Sequence, residues 1–535
     1  MVYINRFFLG ISNQLKKIYL NSNLYDKRIS KVSDKNLSYK PSPHLLSSLI
    51  KYQKKKFKID DFSLDEIWNN NNLSKKEFNK LNSFYWFFSL DLKSSKKTTQ
   101  LIIKNWIKNN SKYNNKTWNF NCTAKRIISW LSCHNLTYEG SDQNYRNNFN
   151  KIIQKQTNHL IRETNNSELS EDKLIGCASI ILVGLCYQNE KNYLSFGSSI
   201  LKKISKLTLD NYGFPKSRNI KQLIFYLKYF ILIREWFKES QINIPEHVDE
   251  TIYYLGQGYA FFWKNVNFDP LFNGNNISNN KDFDNYLKRL GYNFKNENQD
   301  LGGYKVLRNK KISLIMDVGS TPDIKYTKDY QSGTLSFEIA SNGRKLISNC
   351  GYYKKNNRFN ILSRSSAAQN TLIIDDSSSC KFKKINDLWF IKKGSKIIKK
   401  DTVFEKNYWK INASHDGYFK KFNSIHEREI EFYADSMTFI GIDKIIKKKT
   451  NRNYKFDIRF HLEPGTKLMK TQDNQTILIE LDDEGWKFTC DNYDINIDNG
   501  LYFGNKNLYT ENQNIYISGI SNNLTEIIKW QIKRI

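Results

Sequence analysis

The sequence predicts a multidomain α-then-β chain, an N-terminal helical (α/α) array or toroid followed by a C-terminal antiparallel β-sandwich. Three observations carry this. Up to about residue 265 apolar residues recur with the 3.6-residue period of helices, and from about residue 300 they alternate with period two. Between them lies a stretch rich in Asn and Gly, GNNISNNKDFDNYLKRLGYNFKNENQD at 274–300. With 535 residues the chain exceeds what one hydrophobic core ordinarily serves. The expected division is an N-terminal segment 1–80 of undetermined fold, a helical domain 81–275, a linker 276–300 and a sandwich domain 301–535.

Taken in order, the start MVYINRFFLGISNQLKK has a short apolar run and no small-residue cleavage site, so it is a poor secretory signal. In TAKRIISWLS, Ala124, Ile127, Ile128 and Leu131 fall at i, i+3, i+4 and i+7, one helix face. Ser170, followed by Glu171 and Asp172, suits an N-cap for the helix holding LIGCASIILVGLCY (174–187). That run is shorter than the roughly 18–20 residues that span a bilayer, so it reads as a buried helix. IKQLIFYLKYFILIREWF (220–237) is apolar nearly all round and is expected to pack on more than one side. KISLIMDV (311–318) then reads as a strand and TLSFEIASNGRKLIS (334–348) as a hairpin, its Asn342-Gly343 pair suiting a type I′ turn. EIEFYADSMTFIGI (429–442) and YKFDIRFHL (454–462) continue the alternation.

The formal charge is +31, from 84 Lys+Arg against 53 Asp+Glu. Such a surface attracts polyanions: nucleic acid, acidic polysaccharide or an anionic membrane. A coding bias toward Lys, Asn, Ile, Tyr and Phe accounts for the same numbers, and runs such as KKKFK (54–58) read equally as solvated faces. No basic helix with base-reading residues and no aromatic RNA-binding signature is present, which argues against nucleic acid. Seven cysteines without a CxxC pair argue against a structural zinc module and a dense disulfide framework.

Several segments together resemble the heparinase II/III-like family. WNFNCTAKRIISWL (118–131) is similar to its Trp…Arg-Ile…Trp-Leu helix, LDNYGFPKSRN (209–219) to its Ser-Arg-Asn segment, and DPLFNG (269–274) to its Phe-Asn-Gly turn. GTLSFEIASNGRKLISNCGY (333–352), RSSAAQNTLIIDDSSSC (364–380), ASHDGY (413–418), HERE (426–429) and RFHLEPG (459–465) follow in the family's order. The resemblance implies a polysaccharide lyase-like protein acting on an acidic, uronate-containing glycan by β-elimination, without a cofactor. It also implies a substrate in the cell envelope or outside the cell, which the N-terminus does not by itself support. A non-catalytic relative that binds an anionic envelope glycan is the alternative.

Elimination needs a group to neutralise the uronate carboxylate, a base for the C5 proton and an acid for the departing oxygen. By the resemblance, Asn219 is the candidate neutraliser and Arg218 supplies charge, with Asn273 and Asp416 as further substrate contacts. Read locally, Ser217-Arg218-Asn219 can equally cap the following helix. His415 and Tyr418 are the candidate base and acid, with Gly417 permitting close approach; His461 is expected to be structural. A family tyrosine expected in the helical half has three candidates, Tyr226, Tyr254 and Tyr259. Some members hold a structural zinc, and the matching positions here are Gln331, Asn349 and Gln369. Amide oxygens are weak zinc ligands, so no metal is expected and the three amides are expected to hydrogen-bond one another.

Overall fold

The computed structural model describes residues 14–33, 36–49, 68, 73–89, 96–167, 170–187, 191–264, 268–278, 280–385, 388–448 and 452–535. The start of the chain to residue 13 and the KKKFK run lie outside them. The chain divides into two compact units. One comprises Met1–Leu207, Phe225–Ile252 and Asn280–Tyr292; the other comprises Thr208–Ile224, Tyr253–Asn279 and Asn293–Ile535.

The first unit is helical. Its main helices are Lys96–Asn110, Phe120–Ser132, Gln143–Glu163, Ser170–Cys186 and Lys191–Thr208, joined by most of Ile220–Glu239. Ala124, Ile127, Ile128 and Leu131 are all fully buried, as the i, i+3, i+4, i+7 spacing requires. Among the described residues no helix is long and apolar enough to cross a membrane. The N-terminal segment packs into this unit: the Tyr25 hydroxyl lies 2.7 Å from His159 Nδ1, and His159 Nε2 lies 3.2 Å from the Trp118 carbonyl. The segment expected as a linker, 276–300, contains the helix Lys281–Arg289, which buries Phe283, Tyr286 and Leu287. Those three sit at i, i+3 and i+4, a helical signal diluted by the Asn around it.

Arg126 anchors the helical unit. It is fully buried, donates to Gln156 Oε1 (3.1 Å), the carbonyls of Asn82 (2.9 Å) and Thr117 (3.0 Å) and Thr123 Oγ1 (3.2 Å), and stacks 4.0 Å from the Trp106 ring. Burial lowers its pKa to about 9, yet it remains charged at neutral pH.

The second unit is built on antiparallel sheets of five, eight, four and two strands. Its hairpin Phe337–Ser341/Arg344–Ile347 turns at Asn342 (φ 47°) and Gly343 (φ 81°), the two positive values that a type I′ turn needs. In the strand Ser424–Tyr433 burial alternates residue by residue through Phe432. One apolar core draws side chains from three of the sheets, among them Leu314 and Phe337, Ile430 and Trp530, and Phe456 and Ile517.

Arg126→Ala should destabilise the helical unit by about 3 kcal/mol or more, because it leaves two carbonyls and an amide oxygen buried without donors. Arg126→Lys should rescue little, since one ammonium cannot reproduce the planar fork. Thermal melting followed by helical circular dichroism measures both.

Candidate active site

Residues 208–219 form a tight loop before the helix Ile220–Glu239. Asp210 Oδ1 accepts from the backbone N–H groups of Tyr212 (2.9 Å) and Phe214 (2.8 Å) and holds the turn. At its end Arg218 takes φ 58°, a left-handed conformation uncommon for a non-glycine residue. All five of its N–H donors are engaged. Nε donates to Gly302 O (2.9 Å); Nη1 to Gly319 O (3.0 Å) and Tyr330 Oη (3.2 Å); Nη2 to Gly303 O (3.0 Å) and Asp317 Oδ1 (2.7 Å). The guanidinium also lies 4.6 Å from the Tyr304 ring centroid. Burial opposes its charge, and Asp317 outweighs burial and raises the pKa. No donor of Arg218 is left for a substrate, so its role here is to pin the loop.

The pinned loop delivers Asn219 to the helix N-terminus. Its Oδ1 accepts from the N–H groups of Lys221 (2.9 Å) and Gln222 (3.3 Å), the N2 and N3 positions. That capping fixes the amide plane through its oxygen and leaves Nδ2 without a hydrogen-bond partner among the described residues. Asn273, at φ 44°, is bonded at both ends of its amide: Nδ2 donates to Tyr304 Oη (2.6 Å) and Asp317 Oδ2 (3.1 Å), and Oδ1 accepts from Gln331 N (3.1 Å). It braces the Arg218–Asp317 pair and has no N–H to spare.

Gly274, at φ 88°, lies beside Asn219. A Cβ there would stand 2.5 Å from Asn219 Nδ2 and 3.1 Å from Asp329 Cβ, so only glycine lets the backbone pass this close to both side chains. Asp329 is partly exposed, and its Oδ1 accepts a 2.6 Å hydrogen bond from the Tyr352 hydroxyl. Asn360 Nδ2 in turn donates to Tyr352 Oη (3.2 Å). Burial first, then the neighbouring Asp329 charge, holds the Tyr352 phenol well above its ordinary pKa, so it is a neutral proton donor aimed at the carboxylate. Sequence reasoning did not assign Asp329 or Tyr352 to the site. The available signal was their place in two family-like segments, Asp329 heading Asp-Tyr-Gln-Ser-Gly and Tyr352 closing Asn-Cys-Gly-Tyr.

The three amides at the positions matching family zinc ligands do not bond one another. Gln331 Oε1 accepts from Gly274 N (3.0 Å), and its Nε2 donates to the carbonyls of Gly351 (2.9 Å) and Ser363 (2.7 Å). Gln369 Nε2 reaches the same Ser363 carbonyl (3.2 Å), while Asn349 Oδ1 accepts from Asn370 N (2.9 Å). Two of the three amide oxygens therefore already serve backbone N–H groups. Only Gln369 Oε1 lacks a partner, and one neutral oxygen does not fit a zinc ion.

The candidates His415 and Tyr418 lie inside the sandwich unit. Gly417 N donates to His415 Nδ1 (3.0 Å), which places the ring proton on Nε2, 3.2 Å from His426 Nδ1. His426 Nε2 then donates to Asp443 Oδ1 (2.6 Å), a carboxylate also gripped by Arg428 Nε (2.8 Å) and Nη2 (3.1 Å) and by Trp530 Nε1 (2.9 Å). His415, His426, Arg428 and Asp443 are all fully buried. Burial, then His426, lowers the His415 pKa well below the ordinary imidazole range; burial likewise lowers that of His426 against the pull of Asp443. Burial alone would raise Asp443, but Arg428 and His426 outweigh it and hold it low. The Tyr418 hydroxyl donates to the Leu372 carbonyl. Asp416, half-buried, accepts from Lys396 N (2.7 Å). Of the helical-half tyrosines, Tyr226 and Tyr259 are buried and Tyr254 is 37% exposed.

Residues 297–531 match the family model for the Heparinase II/III-like C-terminal domain. The chain carries a heparinase II/III-like C-terminal domain. Solved structures similar to it include a heparinase III with methylated lysines, at 13% identity and TM-score 0.69 over 94% of this chain and 86% of that one. Another heparinase III is 15% identical with TM-score 0.68, covering 94% and 87%. A mutant heparan sulfate lyase HepC from Pedobacter heparinus is 13% identical with TM-score 0.66, covering 90% and 78%. No curated protein matches the sequence. The fold class is thus a helical toroid followed by an antiparallel β-sandwich. Within the heparinase II/III-like domain the family-like segments carry the pieces just described: Asp329, Gln331, Tyr352, Gln369 and the His415–His426 pair.

Two outcomes test this geometry. Arg218→Met should destabilise the sandwich unit by about 3–5 kcal/mol, because it strands the buried Asp317 carboxylate; chemical denaturation measures it. Stability should also fall on acidification. His461, pushed down to about 3 by burial, and His415 and His426, also lowered, bind fewer protons folded than unfolded. Their contribution is complete above the unfolded value of about 6.5 and is lost as pH falls below it, at about 1.4 kcal/mol per pH unit for each histidine. Denaturation midpoints at several pH values from neutral downward should drop accordingly.

Proposed function

We propose that the chain is a polysaccharide lyase-like protein that cleaves an acidic, uronate-containing glycan by β-elimination. The observation that carries this reading is Asn219. Its oxygen is committed to the helix cap, so its Nδ2 is a fixed donor at the positive end of a helix, suited to a substrate carboxylate. A hydrogen bond there withdraws charge from the carboxylate and makes the adjacent C5 proton easier to remove. One solved structure of similar fold is a heparan sulfate lyase. The net charge of +31 favours such a polyanion. Nothing in this scheme calls on a metal or cofactor.

A second reading, a non-catalytic relative that binds an anionic envelope glycan, is favoured by one observation. The imidazoles of His415 and His426 are sealed inside the sandwich unit, and amides stand at the family's zinc positions.

The purified protein should release products with the ultraviolet absorbance of a C4–C5 unsaturated uronate from at least one member of an acidic-glycan panel. Salt-sensitive binding without any such product selects the second reading. Asn219→Asp separates cap from catalyst, because Asp caps a helix as well as Asn does. It should melt at the wild-type temperature and lose turnover on the order of 10²–10³-fold, the usual effect of removing one positioned donor. Unchanged turnover in this variant rejects the role given to Asn219.

A further inference from the structure

We infer that the lysine-rich hairpin Lys381–Ile385/Leu388–Lys393, with the segment that follows it, is a second binding surface for the chain of an acidic glycan, sharing no residue with the Asn219 site. The inference rests on the proposed function for the identity of the polymer and not on any catalytic step.

Positive charge is concentrated here. KFKKINDLWFIKKGSKIIKK (381–400) holds eight lysines, one acidic residue and no arginine, against 84 Lys+Arg and 53 Asp+Glu in the whole chain. A chain-wide coding bias raises lysine everywhere, whereas this segment stands well above its own chain's average. The hairpin is anchored by its inner face. Phe382 and Ile391 pack with Tyr330 and Cys380. Arg364 lies 5.1 Å from the Phe382 ring and donates to the Trp389 carbonyl (3.0 Å), and Ile391 N donates to Thr327 Oγ1 (2.9 Å).

With that face held inward, the pleat turns Lys383 and its cross-strand neighbour Phe390 outward. Lys381 stands directly opposite Lys393, beside the bulge that adds Lys392 to its strand. Lys381, Lys383, Lys392, Lys393, Lys396 and Lys399 are all exposed, and among the described residues none is in an ion pair. Lys400, next in line, is paired with Asp300. Like charges directly opposite on a ladder are destabilising. Within the protein nothing offsets that cost at Lys381 and Lys393; a bound polyanion does.

The chemistry of the face selects among polyanions. The fork suited to bidentate phosphate is an arginine's, and the segment has none. Entry into a bilayer needs apolar side chains that project past the charges. On the hairpin, among the described residues, only Leu388 is an exposed apolar side chain, and Phe390 is half-buried. A uronate residue offers a C–H face to the Phe390 ring and a carboxylate to the ammonium groups around it. Alternate residues of a strand lie about 7 Å apart, so one extended chain meets several lysines with successive charged groups.

The test compares wild type with two variants of equal net charge. One carries Lys381→Gln, Lys383→Gln, Lys392→Gln and Lys393→Gln; the control carries Lys75→Gln, Lys76→Gln, Lys202→Gln and Lys203→Gln, four exposed lysines of the helical unit. Binding to long uronate polysaccharides, to short oligosaccharides of the same sugars, to duplex DNA and to phosphatidylserine vesicles is measured across a salt series. The hairpin variant should melt no lower than wild type, since it removes the Lys381–Lys393 repulsion. It should bind long glycans about tenfold more weakly and with a shallower salt dependence, while the control stays within about twofold of wild type. Affinity for short oligosaccharides, and kcat on them, should not change. Equal losses in both variants, no loss in the hairpin variant, or hairpin-dependent binding only to DNA or vesicles overturns the inference and leaves the lyase reading standing. Hairpin-dependent glycan binding without any unsaturated product supports the inference and overturns the lyase reading.

Discussion

The guanidinium of Arg218 is the constraint on which the rest of the site depends. Its backbone takes a strained φ, which must be offset elsewhere. The offset is a full complement of five hydrogen bonds, three to glycine carbonyls, one to Tyr330 and one to Asp317. Gly303 and Gly319 are glycines for a steric reason: a Cβ on either would come within 3 Å of the Arg218 side chain. Once the arginine is seated, the next residue has no freedom. Asn219 must begin the helix, its oxygen must cap it, and its nitrogen must face away from the first turn.

The same logic recurs deeper in the sandwich unit, where polar groups survive only in closed chains. Gly417 N–H, His415, His426 and Asp443 form a run in which each donor has one acceptor, ended by the fork of Arg428 and the indole of Trp530. One unpaired charge in that core would cost several kcal/mol, so the network holds its histidines neutral and its ion pair intact. The amides at 331, 349 and 369 follow another rule. They are anchored individually to backbone groups rather than to a shared ion, which lets this region keep its shape by hydrogen bonding alone.

The architecture was legible in the sequence because it is written in periodicity: 3.6 through Ala124–Leu131, two through Ser424–Tyr433, and a turn at Asn342-Gly343 whose chemistry is local. The helix at Lys281–Arg289 was hidden by composition, since Asn-rich flanks look like a linker even when Phe283, Tyr286 and Leu287 keep helical spacing. The site was legible only in part. Asn219 could be found because its neighbours in sequence identify it, and the capping expected there is made by its amide oxygen. His415 attracted attention as one of seven histidines next to an Asp and a Gly. Sequence cannot reveal that the strand pairing sets it directly opposite His426 in a sealed core. Asp329 and Tyr352 are 23 residues apart and belong together only after folding.

Net charge discriminates poorly among polyanions. A net charge of +31 favours any polyanion, whether glycan, nucleic acid or lipid, through a field that salt screens within about 10 Å. Selectivity has to come from groups that cannot move to suit the ligand. Asn219 Nδ2 is such a group, because turning the amide toward any other partner would uncap two backbone N–H groups at the start of a 20-residue helix. Tyr352 is another, held between Asp329 and Asn360.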